Sequence, residues 1–226
     1  MSEETALIIG AGEGLSAALA RLFAREGMRI ALAARKTEKL SSLIAETKAR
    51  AYACDASQRG DVDALFASVT NDLAAPDVVV YNPSYRTRGP LVELDPVDVE
   101  KALMVSCYGG FLVGQHAARQ MLGRGSGSIL FTGASASVKG YANSAPFAMG
   151  KFGLRGLAQS MARELAPKNI HVAHFVIDGG IARPGTTGDD AMLAPEAIAE
   201  TYLHIHRQHR SAWTWEVELR PWVEKF

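Results

Sequence analysis

Short runs that are almost wholly apolar alternate along the chain with longer stretches in which apolar residues recur every three or four positions. "ALIIG" (6–10), "MRIALAA" (28–34), "ARAYAC" (49–54), "DVVVYN" (77–82), "GSILFTG" (127–133) and "IHVAHFVI" (170–177) read as strands, and "WTWEVEL" (213–219) alternates like a seventh. Between them the pattern predicts helices. One covers 15–26, with Leu15, Leu19, Leu22 and Phe23 on one stripe and Gly27 as its stop. Asp95 and Pro96 form a cap and first-turn pair that opens a long helix running toward Met121, and further helices are expected over 147–166 and 196–209. Strands that are apolar on both faces are covered on both faces, and strand–helix–strand alternation makes their sheet parallel. The expectation is an α/β fold: a single doubly wound domain over 1–226 with a seven-stranded parallel sheet. No internal repeat or low-complexity tract interrupts it. Only 179–195, rich in Gly, Thr, Asp and Pro, lacks a period, and it is expected to be a mobile substrate loop.

The first strand and first helix are joined by "GAGEGLS" (10–16). Glycines at Gly10, Gly12 and Gly14 permit a tight turn and let backbone N–H groups approach a pyrophosphate at the positive end of the helix. A coenzyme with a free ribose 2′-hydroxyl is met by a carboxylate about twenty residues later. Here the second strand ends instead in Arg35 and Lys36. A guanidinium fork and an ammonium suit a 2′-phosphate, so NADP(H) is the expected coenzyme, with NAD(H) as the alternative. Glu13, on the same turn, would repel that phosphate or pair with Arg35.

Composition narrows the partners. Twenty-four basic residues against 24 acidic ones, with no run of like charge, offer no field for nucleic acid or an anionic membrane, so small molecules and copies of the chain itself are expected. Cys54 and Cys107 are far apart and lack metal spacing, so they read as reduced thiols. The acidic start of the chain lacks a signal-peptide pattern and no apolar run is long enough for a membrane span, which predicts a cytoplasmic protein. His204, His206 and His209 are dense but share no carboxylate and no single face, so they are read as compensating a helix dipole, with no metal expected. "RPWVEKF" (220–226) carries Trp222 and Phe226, which suggest a subunit contact or a cover over a neighbour's pocket.

With these motifs in place, the chain resembles the short-chain dehydrogenase/reductase family over nearly its whole length. Gly10 and Gly14 match the family's T-G-x-x-x-G-x-G, with Ile9 at the threonine and Ser16 at the last glycine. "CDAS" (54–57) resembles the segment whose aspartate lies beside the adenine, which implies that role for Asp55. "YNPS" (81–84) stands for N-N-A-G and keeps Asn82; "VSCYGGF" (105–111) resembles V-N-x-x-G-x-F. Residues 151–180 follow the family's lysine-bearing helix and sixth strand, with Asp178 at a usual proline. The resemblance also implies coenzyme contacts from Leu15, Gly179 and Ile181, and a homo-oligomer, dimer or tetramer.

In the family an Asn, a Ser, a Tyr and a Lys cooperate: the Tyr exchanges a proton with substrate, and the Lys binds the nicotinamide ribose and lowers the Tyr pKa. Aligning Lys151 with that lysine puts Phe147 at the tyrosine, Ala134 at the serine and Ser106 at the asparagine. A general acid is worth about 10²–10⁴ in rate, and a phenyl ring has no proton to give. The replacement candidates are Ser135, one residue from the expected serine, Ser106 holding a water, and Tyr141 or Tyr85, with Tyr108 ranked below them. The function expected is an NADP(H)-dependent oxidoreductase with a nonstandard proton donor, acting on a carbonyl or an activated C=C or C=N bond. The alternatives are a cofactor-binding sensor or scaffold without turnover, and a non-redox lyase or isomerase.

Overall fold

Every apolar run forms a strand, and every gap between strands returns through at least one helix to the same sheet. The computed structural model describes residues 3–183 and 190–225. In order it contains β1 (Thr5–Ile9), α1 (Leu15–Arg25), β2 (Arg29–Ala34), α2 (Ser41–Thr47), β3 (Arg50–Ala53), α3 (Arg59–Asp72), β4 (Val78–Tyr81) and α4 (Pro96–Leu103). There follow α5 (Gly109–Arg124), β5 (Gly127–Thr132), α6 (Ala145–Leu165), β6 (Ile170–Ile177), α7 (Pro195–His206) and β7 (Glu216–Leu219). All seven strands pair in parallel in the order β3-β2-β1-β4-β5-β6-β7. Alternate residues of each strand enter opposite cores. Ile8 and Leu32 pack with α1 and α7, while Leu7 and Ile9 pack with the side of the sheet covered by α3, α5 and α6. The winding reverses between β1 and β4, so the crevice at the carboxyl ends of these two strands is the topological switch point where such sheets bind ligands.

The helix expected to run unbroken from Asp95 toward Met121 is interrupted. Asp95 does cap α4, accepting from Val97 N at 2.9 Å, but Met104–Tyr108 forms a turn of π-helix before α5 begins. Such insertions concentrate at functional sites. Here the Val105 carbonyl accepts a hydrogen bond from the fully buried Tyr81 hydroxyl at the end of β4. A side chain at Gly109 would collide with that hydroxyl and with the Ala56 carbonyl. No period in the sequence marks this contact, because it joins residues more than twenty positions apart.

The other corrections are at the edges. The last helix stops at His206 rather than His209. The seventh strand starts at Glu216, because Trp213 lies flat on His171, with ring centres 4.6 Å apart, and Gln208 holds Thr214 in a turn. A carboxylate does join the histidine cluster: His206 sits between the Ser128 hydroxyl (2.9 Å) and Glu4 (3.3 Å), which ties α7 to the sheet, whereas His209 bonds Ser211 and His204 is exposed. Glu13 and Arg35 make no ion pair among the described residues. Both cysteines are free, and burial pushes the Cys54 thiol up to about 12. Among the described residues no helix is long and apolar enough to cross a membrane.

Candidate active site

The turn after β1 is built by backbone geometry. Gly10 takes φ +81°, and a Cβ there would lie 2.7 Å from Pro83 N, so only glycine fits. Gly10 N and Ala11 N both donate to the Ala33 carbonyl, which pins the turn against the end of β2, where Arg35 and Lys36 emerge exposed. Among the described residues, Gly12 and Gly14 have no atom within 4 Å of a would-be Cβ. Gly14 precedes α1 as its cap position with no side-chain cap; its carbonyl accepts from Ala17 N and Ala18 N, and no partner takes the Leu15 and Ser16 amides among the described residues. Ser16, at the family's glycine, is accommodated because its hydroxyl donates to Gly10 O (3.0 Å) and accepts from Asn82 Nδ2 (2.7 Å). A cleft of about 630 Å³ opens here, with residues 10–16 and Asn82 on one wall and residues 181–183 on the other. Leu15 is the buried first residue of α1. Ile181 bridges to Leu193, and Gly179, at φ +152°, packs on Pro221. Part of the 179–195 loop lies outside the described residues, as does Phe226; Trp222 is exposed.

Asp55 is less available than its motif suggests. Its Oδ1 accepts from both the amide and the hydroxyl of Ser57, so it closes the turn after β3. Burial raises its pKa, but the Ser57 hydrogen bonds and the charges of Arg35 and Lys101 outweigh this and hold the carboxyl below its usual value.

The second half of the cleft is set by α6. Its buried stripe runs Phe147, Lys151, Leu154, Ala158, so a lysine occupies a position that spacing reserves for an apolar residue. Lys151 is 2% exposed and donates to the Thr132 carbonyl at 2.7 Å. Burial, with a further push from Arg86, lowers its pKa to about 7. The Phe147 ring is buried with Ala134 and Ala136, 5.9 Å from Lys151 Nζ. The Arg86 guanidinium lies over the same ring, 4.1 Å from its centre. Ser106, on the π-helical turn, is fully buried, and its hydroxyl is without a hydrogen-bond partner. It packs where α4 and α6 meet, tightly enough that a Cβ on Gly150 would be 2.8 Å from its own.

The remaining hydroxyl candidates separate. Tyr85 donates to Asp98 (2.8 Å) under the Lys101 ammonium, which commits it to α4. Tyr108 stacks on Phe111 at the exposed outer face. Tyr141 is 48% exposed. Ser135 is partly exposed, and it is Ser137, fully buried, whose hydroxyl turns inward to accept from Ala134 N at 3.1 Å.

Three features escape sequence reasoning. Arg86 follows β4 in a loop with no motif, and only its proximity to Phe147 marks it. His174 is buried between β5 and β7, where its Nδ1 donates to Glu216 (3.0 Å), leaving Nε2 bare against Gly133. Burial holds its pKa down, to about 4, so the ring is neutral at physiological pH. Asp178, buried at the end of β6, pairs with Lys139 (3.2 Å) and Arg220 (3.0 Å) and so ties both the β5–α6 loop and the C-terminal segment to the cleft floor. The proline expected there could make neither contact.

A parallel sheet wound in both directions from a glycine turn at its switch point is the architecture of the Rossmann class of dinucleotide-binding folds. The chain belongs to the short chain dehydrogenase family, whose profile matches residues 4–187. A short-chain dehydrogenase from Rhodopseudomonas palustris is 38% identical over 97% of this chain and 99% of its own, with a TM-score of 0.87. A metagenomic short-chain oxidoreductase in complex with NADP is 27% identical over 96% and 97% of the two chains, with a TM-score of 0.86. Among curated relatives, momilactone A synthase of Oryza sativa subsp. japonica is 34% identical over 189 residues, 80% of this chain and 68% of that protein.

Proposed function

We propose that this protein is an NADP(H)-dependent oxidoreductase acting on a small carbonyl compound or an activated C=C or C=N bond, with Lys151 in place of a tyrosine as the group that manages the proton. The observation that carries the coenzyme assignment is the start of α1 behind Gly12 and Gly14, which no side chain caps and where a Cβ on either glycine would meet no atom within 4 Å among the described residues. A pyrophosphate fits that cradle by charge and space. Arg35 and Lys36 would take the 2′-phosphate, Asn82 braces the turn through Ser16, and Lys151 would meet the nicotinamide ribose; Gly10, Gly12, Gly14, Leu15, Asp55, Gly179 and Ile181 complete the contact set. That a family member of this fold is known in complex with NADP supports the same choice.

Bound NADPH would supply a hydride to the electrophilic carbon, leaving the displaced electron pair on the substrate's oxygen, nitrogen or α-carbon to be met by a proton. Lys151 suits the delivery of that proton, because with a pKa of about 7 it is shared between ammonium and amine at neutral pH, the condition under which a general acid is most effective. Its hydrogen bond to the Thr132 carbonyl fixes its direction. Ser106 offers a buried hydroxyl free to hold a water or a substrate oxygen. Ser135 and Tyr141, at the mouth of the β5–α6 loop, remain secondary candidates.

Fluorescence titration is expected to show NADPH binding about tenfold or more tighter than NADH, with Arg35→Gln erasing most of the difference. Equal affinities in the wild type overturn the NADP assignment. Oxidation of NADPH across a panel of ketones, enones and imines tests turnover; tight binding with no oxidation by any of them leaves the sensor or scaffold reading. A homo-oligomer is also proposed, through the exposed apolar side chains of α5 and α6, Phe111, Met149 and Phe152 among them. Sedimentation showing a monomer at micromolar concentration removes it.

A further inference from the structure

We propose that Arg86 recognises an anionic substrate, so that the natural substrate is a short oxo acid or unsaturated acid whose carboxylate lies on the Arg86 guanidinium while its reducible bond faces Lys151. The inference rests on the oxidoreductase reading and names the substrate class for the same site. Its basis is an uncompensated cation. Arg86 is the side chain that covers Phe147, the residue at the position where the family's acid is expected, and it approaches the ring centre to 4.1 Å. No hydrogen bond or carboxylate partner of Arg86 exists among the described residues; the exposed Arg25, Arg88 and Arg119 share that lack, and what sets Arg86 apart is its place over the Phe147 ring.

The charges around it are of its own sign. Lys151 Nζ lies 5.9 Å from the centre of the same ring, and burial and then Arg88 hold the Arg86 pKa below the usual guanidinium value. The loop that carries Arg86 is pinned across the cleft mouth, since Gly89 N donates to the Asn143 carbonyl just ahead of α6 (3.1 Å). Arg86 nonetheless remains accessible to solvent. An exposed guanidinium over an apolar ring, with a second cation buried near that ring and no carboxylate paired with the guanidinium among the described residues, suits a ligand with a carboxylate at one end and a polarised bond at the other. A guanidinium fork matches a carboxylate in shape as well as charge. The coenzyme's phosphates are not this anion, because their cradle is the turn at residues 10–16, beside β1.

The test uses pyruvate, acetoacetate and levulinate, each paired with its methyl ester. In the wild type with NADPH, at least one acid should exceed its ester in kcat/KM by about 10- to 100-fold, and Arg86→Gln should abolish that preference. NADPH affinity, measured by fluorescence, should not change in the variant. A binding readout separates this inference from the reading it rests on: calorimetry of the same acids into the protein–NADP⁺ complex should detect binding to the wild type and none to Arg86→Gln. If no compound is reduced but the acids bind in an Arg86-dependent way, anion recognition stands and the redox reading falls. If acids and esters behave alike in both assays, or if Arg86→Gln retains the preference, the inference is wrong.

Discussion

Phe147→Tyr is expected to raise NADPH-dependent reduction of a simple ketone by about 10²- to 10⁴-fold, the usual worth of a positioned general acid. The ring is already held where an acid would be wanted, buried against Ala134 and Ala136, under Arg86 and 5.9 Å from the Lys151 ammonium. A hydroxyl added there enters the field of two cations, which favours the phenolate and draws the phenol pKa below its ordinary value near 10. The cost in stability should be small, about 1 kcal/mol of overpacking, because a single oxygen is added and a nearby cation can donate a hydrogen bond to it. The assay is initial-rate loss of NADPH absorbance, with wild type and variant matched for coenzyme affinity. A folded variant that binds NADPH as before and gains nothing would show that Phe147 does not occupy the acid's position.

Lys151→Met should make the free protein more stable and a poorer coenzyme binder. An amine buried on the apolar stripe of α6, with its pKa lowered from 10.5 to about 7, carries a penalty of roughly 3 to 5 kcal/mol whenever both folded and unfolded chains are protonated. The lost hydrogen bond to Thr132 gives back about 1 kcal/mol. A rise in Tm of about 5 to 10 °C is therefore expected. Because the folded-state pKa lies below the unfolded one, the unfolded chain binds the extra proton between about pH 7 and 10.5, and wild-type stability climbs with pH through that window. The variant's advantage is thus complete below pH 7 and fades toward pH 10.5. NADPH affinity should fall by about tenfold or more as the ribose contact is lost. A variant that is no more stable at pH 6 than the wild type, or that binds NADPH equally well, would remove Lys151 from the role given to it. Groups kept at a cost to stability are a feature of functional sites.

The elements legible from sequence were those whose signal is local. Unbroken apolar runs such as "DVVVYN" mark strands covered on both sides, helical stripes mark the helices between them, and the three glycines of residues 10–16 mark a turn that backbone geometry then demands at Gly10. Register with Lys151 also sets Phe147, Ala134 and Ser106 against the family's Tyr, Ser and Asn as an expectation from the sequence. The surroundings of Phe147 could not be read in the same way, since Arg86 and Lys151 reach its ring only through the fold. Tyr85 and Tyr108 looked available because a tyrosine's exposure and partner depend on packing, and the fold gives one to Asp98 and the other to an outer face.

By itself, then, the sequence determined the number of the strands, their parallel winding and the place of the glycine turn after the first strand, since each follows from the periodicity and backbone freedom of neighbouring residues. Only the tertiary structure decided that α4 and α5 are joined by a π-helical turn beneath Tyr81, that Arg86 crosses from the β4 loop onto Phe147, and that Asp178 gathers Lys139 and Arg220. Each of these joins side chains separated by more than twenty residues. Burial and the charge of the distant Arg86, which no local pattern encodes, lower the pKa of Lys151.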